Sequence, residues 1–421
     1  MGQSPWRDFD MTTATVIRPL APSEEIFASS EVVVGYSMRL RGRLNLSALS
    51  VAFDTVLRAY PAFGARLELD GRRHILLESL GNTTQFTVTD GDPELLLTGA
   101  RLDQRTALAA LCVVLDGERA GVTLVTHHSI ADACHSLAVL ADLWRCYTAA
   151  CHGREPTLPL HGYPEAVEDL LLCRAIEKFS NPPASVRPFA RHATADTTPA
   201  PVDDAPYLIP LTARCRLTKR QTAALADLAH REGTTINGLA SAAILLTEAE
   251  IRELPLRELS YTYSVDLRSR VTPAIGSTEG SNVLGFADFV PPHGATTLVG
   301  LARGISDGLR AGLASGLVQQ TPLHIPDIAA GPAPRSPGIV LATNWGRIAH
   351  PTLPDGLHVN DFRTLMVAKP DKTGHRLQQP SGTIIISTFD DRLSIEIHHP
   401  EETTAQQRLR VHLLSQHLTA T

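Results

Sequence analysis

His127-His128-Ser129-Ile130-Ala131-Asp132 is the stretch on which the reading of this chain turns. Two adjacent histidines are followed, four residues after the second, by an aspartate. The run lies between an apolar, strand-like segment, Gly121 to Thr126, and a helix-like segment, Cys134 to Tyr147. A strand-to-helix junction holds a side chain rigidly while leaving it to face a cleft. Imidazole, with an ordinary pKa of about 6.5, takes and returns a proton near neutral pH. The stretch therefore reads first as a general-base site.

Other chemistries fit less well. A zinc site needs three or four ligands, and adjacent histidines on extended backbone point to opposite faces, so no metal is expected. The chain has no G-x-S-x-G elbow, which argues against a serine hydrolase of that class. Cys134 and Cys146 lie on the apolar face of a helix-like segment and read as core packing, not as nucleophiles. What remains is acid–base chemistry without a covalent intermediate. One histidine faces the core and the other a cleft, while Asp132 either caps the following helix or forms a buried ion pair. The residues alone leave a second reading open, in which both histidines are strand-end residues satisfied by backbone groups. The chain's other pair, His398-His399, runs into Pro400-Glu401-Glu402 without the aspartate and reads as a structural strand end.

Composition sets the frame. A chain of 421 residues is too long for one ordinary core, so two domains are expected. Hydrophobic residues make up 43% and charged residues 19%, a globular balance. A net charge of −6 argues against nucleic acid as the partner. The cysteines form no C-x-x-C pair; Cys112, Cys134, Cys146 and Cys173 read as buried free thiols, and a cytoplasmic setting is expected. No apolar run approaches the roughly 20 residues that span a bilayer. Met1-Gly2-Gln3-Ser4-Pro5-Trp6 has Trp where a myristoylation site needs Ser or Thr. Pro-rich, apolar-poor sequence over 180–206 reads as a linker between halves 1–179 and 207–421.

Periodicity fills in the halves. Pro22 to Phe27 predicts a short helix capped by Ser23. Val32 to Leu40 is β-rich, and Ser47 to Tyr60 is helical with Leu49, Ala52, Phe53, Val56 and Leu57 on one face. Asp70-Gly71 predicts a hairpin, and strands are expected near Leu111 to Leu115 and Val122 to Thr126. In the second half Tyr207 to Leu217, Tyr261 to Leu267, Ile339 to Ala342, Thr383 to Thr388 and Leu393 to His398 read as strands. Lys219 to Glu232, Asn237 to Leu256 (capped by Thr234 or Thr235) and Val411 to Leu418 read as helices. Both halves thus mix strands with long helices, as two similar α/β layers.

The run His127 to Asp132 matches H-H-x-x-x-D, the signature of the chloramphenicol-acetyltransferase-like superfamily, which includes condensation domains and plant-type acyltransferases. Arg41 to Leu49, Tyr60-Pro61-Ala62-Phe63, Val265 to Arg270, Ser281-Asn282-Val283-Leu284-Gly285 and Thr343-Asn344-Trp345-Gly346 are similar to further superfamily segments. Ser23 to Ala28, Ala243 to Glu248 and Leu309 to His324 resemble the phthiocerol/phthiodiolone dimycocerosyl transferase group of polyketide-associated acyltransferases. The resemblance runs from about residue 16 to at least residue 400. Ala133 stands where family members usually carry Gly.

The resemblance implies two chloramphenicol-acetyltransferase-like α/β sandwich domains with the active-site channel between them. It implies His128 as general base, with His127, Asp132 and Arg268 shaping the site and Asp132 paired to Arg268. Asn344, Trp345 and Gly346 would support the channel. The implied reaction is O-acyl transfer from a thioester, on a carrier protein's phosphopantetheine or on CoA, to a hydroxylated small-molecule acceptor. No further cofactor is implied. Arg303 and Arg310, seven apart on a helix-like stretch, read first as solvated arginines and second as candidates for docking an acidic acyl carrier protein. A monomer is expected. The rivals are a free-standing condensation enzyme that forms an amide and a non-catalytic binding module on the same fold.

Overall fold

The computed structural model describes residues 15–71, 73–79, 85–95, 102–180, 212–326, 338–368, 382–398 and 403–419. The start of the chain, the expected linker beyond Ser180, the first part of the strand expected from Tyr207, and His399 lie outside the described residues.

The first half runs β1 (Val16–Pro19), α1 (Pro22–Ala28), β2 (Val33–Arg41), α2 (Leu46–Ala59), α3 (Pro61–Gly64), β3 (Arg66–Asp70) and β4 (Arg73–Leu77). It continues through β5 (Phe86–Asp90), β6 (Ala109–Asp116), β7 (Arg119–His127), α4 (Ala133–Cys151) and α5 (Val167–Leu172). Local chemistry explains the boundaries. The Asn45 side chain accepts from the Ala48 amide at 3.0 Å and caps α2. The β6–β7 hairpin turns on two residues, Gly117-Glu118, with Gly117 at φ +59°. The hairpin expected at Asp70-Gly71 joins β3 to β4. Ser23 does not cap α1: the helix begins at Pro22, and Glu24 reaches back to accept from the Ala21 amide at 2.9 Å. Ser23 instead bonds Glu168 at the foot of α5.

The second half runs β8 (Thr212–Arg216), α6 (Lys219–Arg231), α7 (Ile236–Arg252), β9 (Ser260–Asp266), β10 (Leu284–Phe289), α8 (Leu298–Ala314) and α9 (Leu317–Gln320). Then follow β11 (Ile339–Arg347), β12 (His358–Val367), β13 (Thr383–Phe389), β14 (Arg392–His398) and a last helix, Thr404–Thr419. Thr235 is the cap of α7, its side chain accepting from the Gly238 amide at 2.9 Å.

The described residues form three sheets, with strand orders β1-β4-β3, β12-β2-β7-β6-β5 and β10-β9-β11-β13-β14-β8. The five-stranded sheet packs Tyr36, Met38, Val122 and Leu124 against Leu49, Phe53 and Val56 of α2 and Leu143, Trp144 and Tyr147 of α4. The six-stranded sheet packs Tyr261, Ile384, Ile386 and Ile395 against Leu239, Ala243 and Ile244 of α7 and Leu414 of the last helix. Two α/β lobes therefore stand on separate cores. They are not separate in the chain, because β12 leaves the second half to pair antiparallel with β2, from His358 opposite Arg41 to Val367 opposite Val33. The six cysteines are free thiols; Cys112 and Cys146 are buried and Cys134 half-buried, but Cys173 is exposed. The short helix α5 ends at Leu172, so Cys173 falls at its C-terminal cap, off the buried face.

Candidate active site

β7 ends where the two lobes meet. The His127 amide donates to Leu108 O at 2.7 Å, and the His128 amide donates to Val32 O at 2.8 Å. His127 turns inward, 2% exposed, with Nδ1 accepting from the Ser129 amide at 3.3 Å and lying 2.7 Å from Ser129 Oγ. His128 turns the other way and is half-buried. Its Nδ1 is buried. The Phe27 ring from α1 stacks on the imidazole, with centroids 4.0 Å apart and planes 19° from parallel. Burial lowers the His128 pKa below 6.5, outweighing the nearby Asp132 carboxylate, which pulls the other way. The ring is therefore neutral near pH 7 and able to accept a proton.

Asp132 does both things the sequence left open. It is the N-cap of α4, its Oδ1 accepting from the His135 amide at 3.0 Å. The same carboxylate takes a bidentate pair of bonds from Arg268, at 2.8 and 3.0 Å. A fourth bond comes from the Val283 amide at 2.9 Å. Asp132 is 0% and Arg268 5% exposed, so the pair sits in the interior. The carboxylates of Asp132 and Asp266 raise the guanidinium pKa despite its burial. Ala133 is the first residue of α4 and has no left-handed φ, so the backbone there does not call for glycine.

Sequence reasoning gave no role to the residues that clasp this turn from the second lobe. Ser281 O accepts from the Asp132 amide at 2.8 Å. Asn282 Nδ2 donates to His128 O at 2.7 Å. With the Val283 amide on Asp132, three consecutive residues hold the turn across the lobe junction. Ser281 Oγ also donates to Glu24 Oε1 at 2.6 Å, tying α1 to the same clasp. These contacts reach across more than a hundred residues and two of them use main-chain groups, so Ser281 to Val283 stand out only through resemblance.

Asn344, Trp345 and Gly346 end β11 and bridge the lobes. Asn344 Nδ2 donates to Asn237 Oδ1 at 2.9 Å, at the start of α7. Trp345 crosses to the first lobe and stacks on Tyr36, centroids 4.9 Å apart. Gly346, at φ +71°, gives the strand the bend that places the indole there. Arg303 and Arg310 lie on α8, away from this turn in the chain and paired locally. Arg303 bonds Glu232 at 2.8 Å and Arg310 bonds Asp307 at 2.7 Å, all with exposed side chains. His398, the described member of the other pair, is 3% exposed in β14, with Nε2 3.0 Å from Thr364 Oγ1. Among the described residues no group of three or more His, Cys, Asp or Glu is arranged to hold a metal ion. No helix among them is long and apolar enough to cross a membrane.

Comparison with known proteins identifies the family of the chain. The family description "Phthiocerol/phthiodiolone dimycocerosyl transferase C-terminus" matches residues 206–398. The phthiocerol/phthiodiolone dimycocerosyl transferase of Mycobacterium ulcerans (strain Agy99) is 33% identical over 404 residues, covering 92% of this chain and 93% of that protein. The chain belongs to the phthiocerol/phthiodiolone dimycocerosyl transferase family. The family protein of Mycobacterium tuberculosis (strain ATCC 25618 / H37Rv) is also 33% identical, over 372 residues and 84% of this chain. Polyketide synthase associated protein 5 from Mycobacterium tuberculosis superposes with a TM-score of 0.79 at 28% identity, covering 96% of this chain and 98% of that one. The first condensation domain of the calcium-dependent antibiotic synthetase shares the fold, with a TM-score of 0.65 at 13% identity, covering 96% of this chain and 97% of that one. This member of the family is an acyltransferase, and its two-lobed fold is shared with polyketide synthase associated protein 5 and with a condensation domain.

Proposed function

We propose that this acyltransferase moves an acyl group from a thioester to a hydroxyl of a polyketide- or lipid-like acceptor, with His128 as general base and no acyl-enzyme. One observation carries the reading: His128 lies at the lobe junction with its Nδ1 buried and with burial lowering its pKa, which leaves Nε2 as the nitrogen to act as base. Nε2 takes the proton of the acceptor hydroxyl as its oxygen attacks the thioester carbonyl. A tetrahedral oxyanion forms, the C–S bond breaks, and the imidazolium returns its proton to the thiolate. A base so placed contributes about 10²–10⁴-fold. His127, Asp132 and Arg268 touch neither substrate in this scheme and act by fixing the turn.

The donor thioester sits on a carrier protein's phosphopantetheine or on CoA, and no other cofactor takes part. The relatives' name, a dimycocerosyl transferase for phthiocerol or phthiodiolone, supports a lipid-like acceptor. In this reading residues 1–179 and 207–421 supply opposite walls of a channel, and Asn344, Trp345 and Gly346 brace it. Arg303 and Arg310 serve as docking points for an acidic carrier protein by exchanging Glu232 and Asp307 for its carboxylates. The enzyme works as a monomer in the cytoplasm, where loaded carriers and CoA thioesters occur.

The test is acyl loss from a panel of loaded carrier proteins and acyl-CoAs, followed by intact mass with alcohol and amine acceptors. His128→Ala should fold normally and lose at least about 100-fold in turnover. Near-normal turnover in that variant overturns the base, and product from amines alone overturns the ester reading.

A further inference from the structure

α1 is seven residues long, yet four consecutive side chains tie it into the fold. Ser23 bonds Glu168 of α5. Glu24, 0% exposed, accepts from Arg18 at 2.6 and 2.7 Å and from Ser281 of the second lobe at 2.6 Å. Glu25 accepts from the His74 amide at 3.0 Å and lies 2.8 Å from its Nδ1. Ile26 packs against the Phe286 and Ile325 pair of the second lobe. The next residue is Phe27, 9% exposed, whose only aromatic partner among the described residues is the His128 ring. A helix this short does not hold itself, so these bonds set where the Phe27 ring lies.

We infer that Phe27 is a positioning residue for the base: seated by α1, its ring fixes the plane of the His128 imidazole and keeps water from its covered face. The inference rests on His128 being the base. Stacking on one face limits rotation of the ring, and the Asn282 bond to the His128 carbonyl holds the main chain that carries it, so Nε2 is kept in one direction. Removing the ring should also change the proton affinity of His128, in a definite sense. Asp132 favours the imidazolium, and Arg268 is bonded to that carboxylate. On α1, Glu24 is matched by Arg18 and Glu25 by His74. From the second lobe comes neutral Asn282. All of these remain in a Phe27 variant, while the burial that lowers the pKa is lost, so the His128 pKa rises.

The experiment compares Phe27→Leu and Phe27→Tyr with the unaltered chain. It measures kcat, KM for the loaded donor, the pH–rate profile, and the His128 titration by NMR of histidine-labelled protein. Phe27→Leu should lower kcat by about tenfold or more with KM changed little, and move the acidic limb and the His128 titration to higher pH. Phe27→Tyr keeps the ring and should restore both. If Phe27→Leu does not fold, Phe27→Met carries the same comparison. An unchanged kcat and unshifted limb, in an enzyme that His128→Ala inactivates, overturns this inference alone. Activity surviving His128→Ala overturns the base itself.

Discussion

Removing Arg268 should be far more damaging than removing the charge it neutralises. Asp132 accepts four hydrogen bonds, two from Arg268 and one each from the His135 and Val283 amides. In Arg268→Met the carboxylate keeps the two amides and loses its counter-charge, at a position 0% exposed. Breaking a buried pair from one side costs about 3–5 kcal/mol. Asp132→Asn is less severe for two reasons. The amide oxygen can still cap α4, and Arg268 keeps Asp266 at 3.0 Å, a carboxylate whose side chain is 47% exposed. Its cost should be about 1.5–3 kcal/mol, that of a hydrogen bond to a charged group. The double variant should cost less than the sum of the singles, with a coupling of about 1–3 kcal/mol. Urea unfolding of all four proteins in one buffer measures this cycle. A cost below about 1 kcal/mol for Arg268→Met, or equal costs for the two singles, refutes the reasoning.

Three further outcomes are expected. Burial holds His135 and His398 at about 4, against 6.5 ordinarily, overriding Asp132 and Glu396 respectively. Between pH 6.5 and 4 the unfolded chain therefore binds protons that the folded chain does not. Stability should fall as the pH is lowered from 6.5 to 4, by up to about 1.4 kcal/mol per pH unit for each histidine, and His398→Gln should remove one share of the slope in urea titrations. Asn282→Ala releases the His128 carbonyl; steady-state kinetics should show kcat falling while unfolding shows a loss of only about 1 kcal/mol. Ala133→Gly should cost up to about 1 kcal/mol at the start of α4 and leave turnover in place, because no left-handed φ is needed there.

Local signals made much of the first lobe legible. Apolar spacing and a proline stop placed α2 within a residue of Leu46–Ala59, and Asp70-Gly71 marked a hairpin that forms. The strand, turn and helix around His127 to Asp132 followed from an apolar run meeting a helical one. Three things were not legible, each because its cause is distant in the chain. Nothing local marks β12 as a partner of β2, since pairing register is set by the facing strand and not by composition. The partner of Asp132 came through family resemblance, because a bond across 136 residues leaves no spacing to read. Ser23 was misread as a cap because its hydroxyl serves Glu168, 145 residues away. Phe27 and Ser281 to Val283 carry no local mark of their roles, because an aromatic ring looks like ordinary core and a Ser-Asn-Val run like ordinary loop.

β12 constrains how the molecule can move and how it can be divided. It hydrogen-bonds to β2 along nearly the whole length of that strand while its chain neighbours, β11 and β13, belong to the other sheet. Prising the lobes straight apart would unzip that ladder, so any breathing of the junction is confined to a swing about this shared strand. On the proposed function, reactants would then thread in and out along the gap between the lobes instead of being released by their separation. The same arrangement makes the first half an incomplete unit: expressed alone, it would present β2 as a raw sheet edge with Tyr36 and Met38 beside it. Such an edge invites pairing with another copy, so a fragment ending before β12 should aggregate where the whole chain does not.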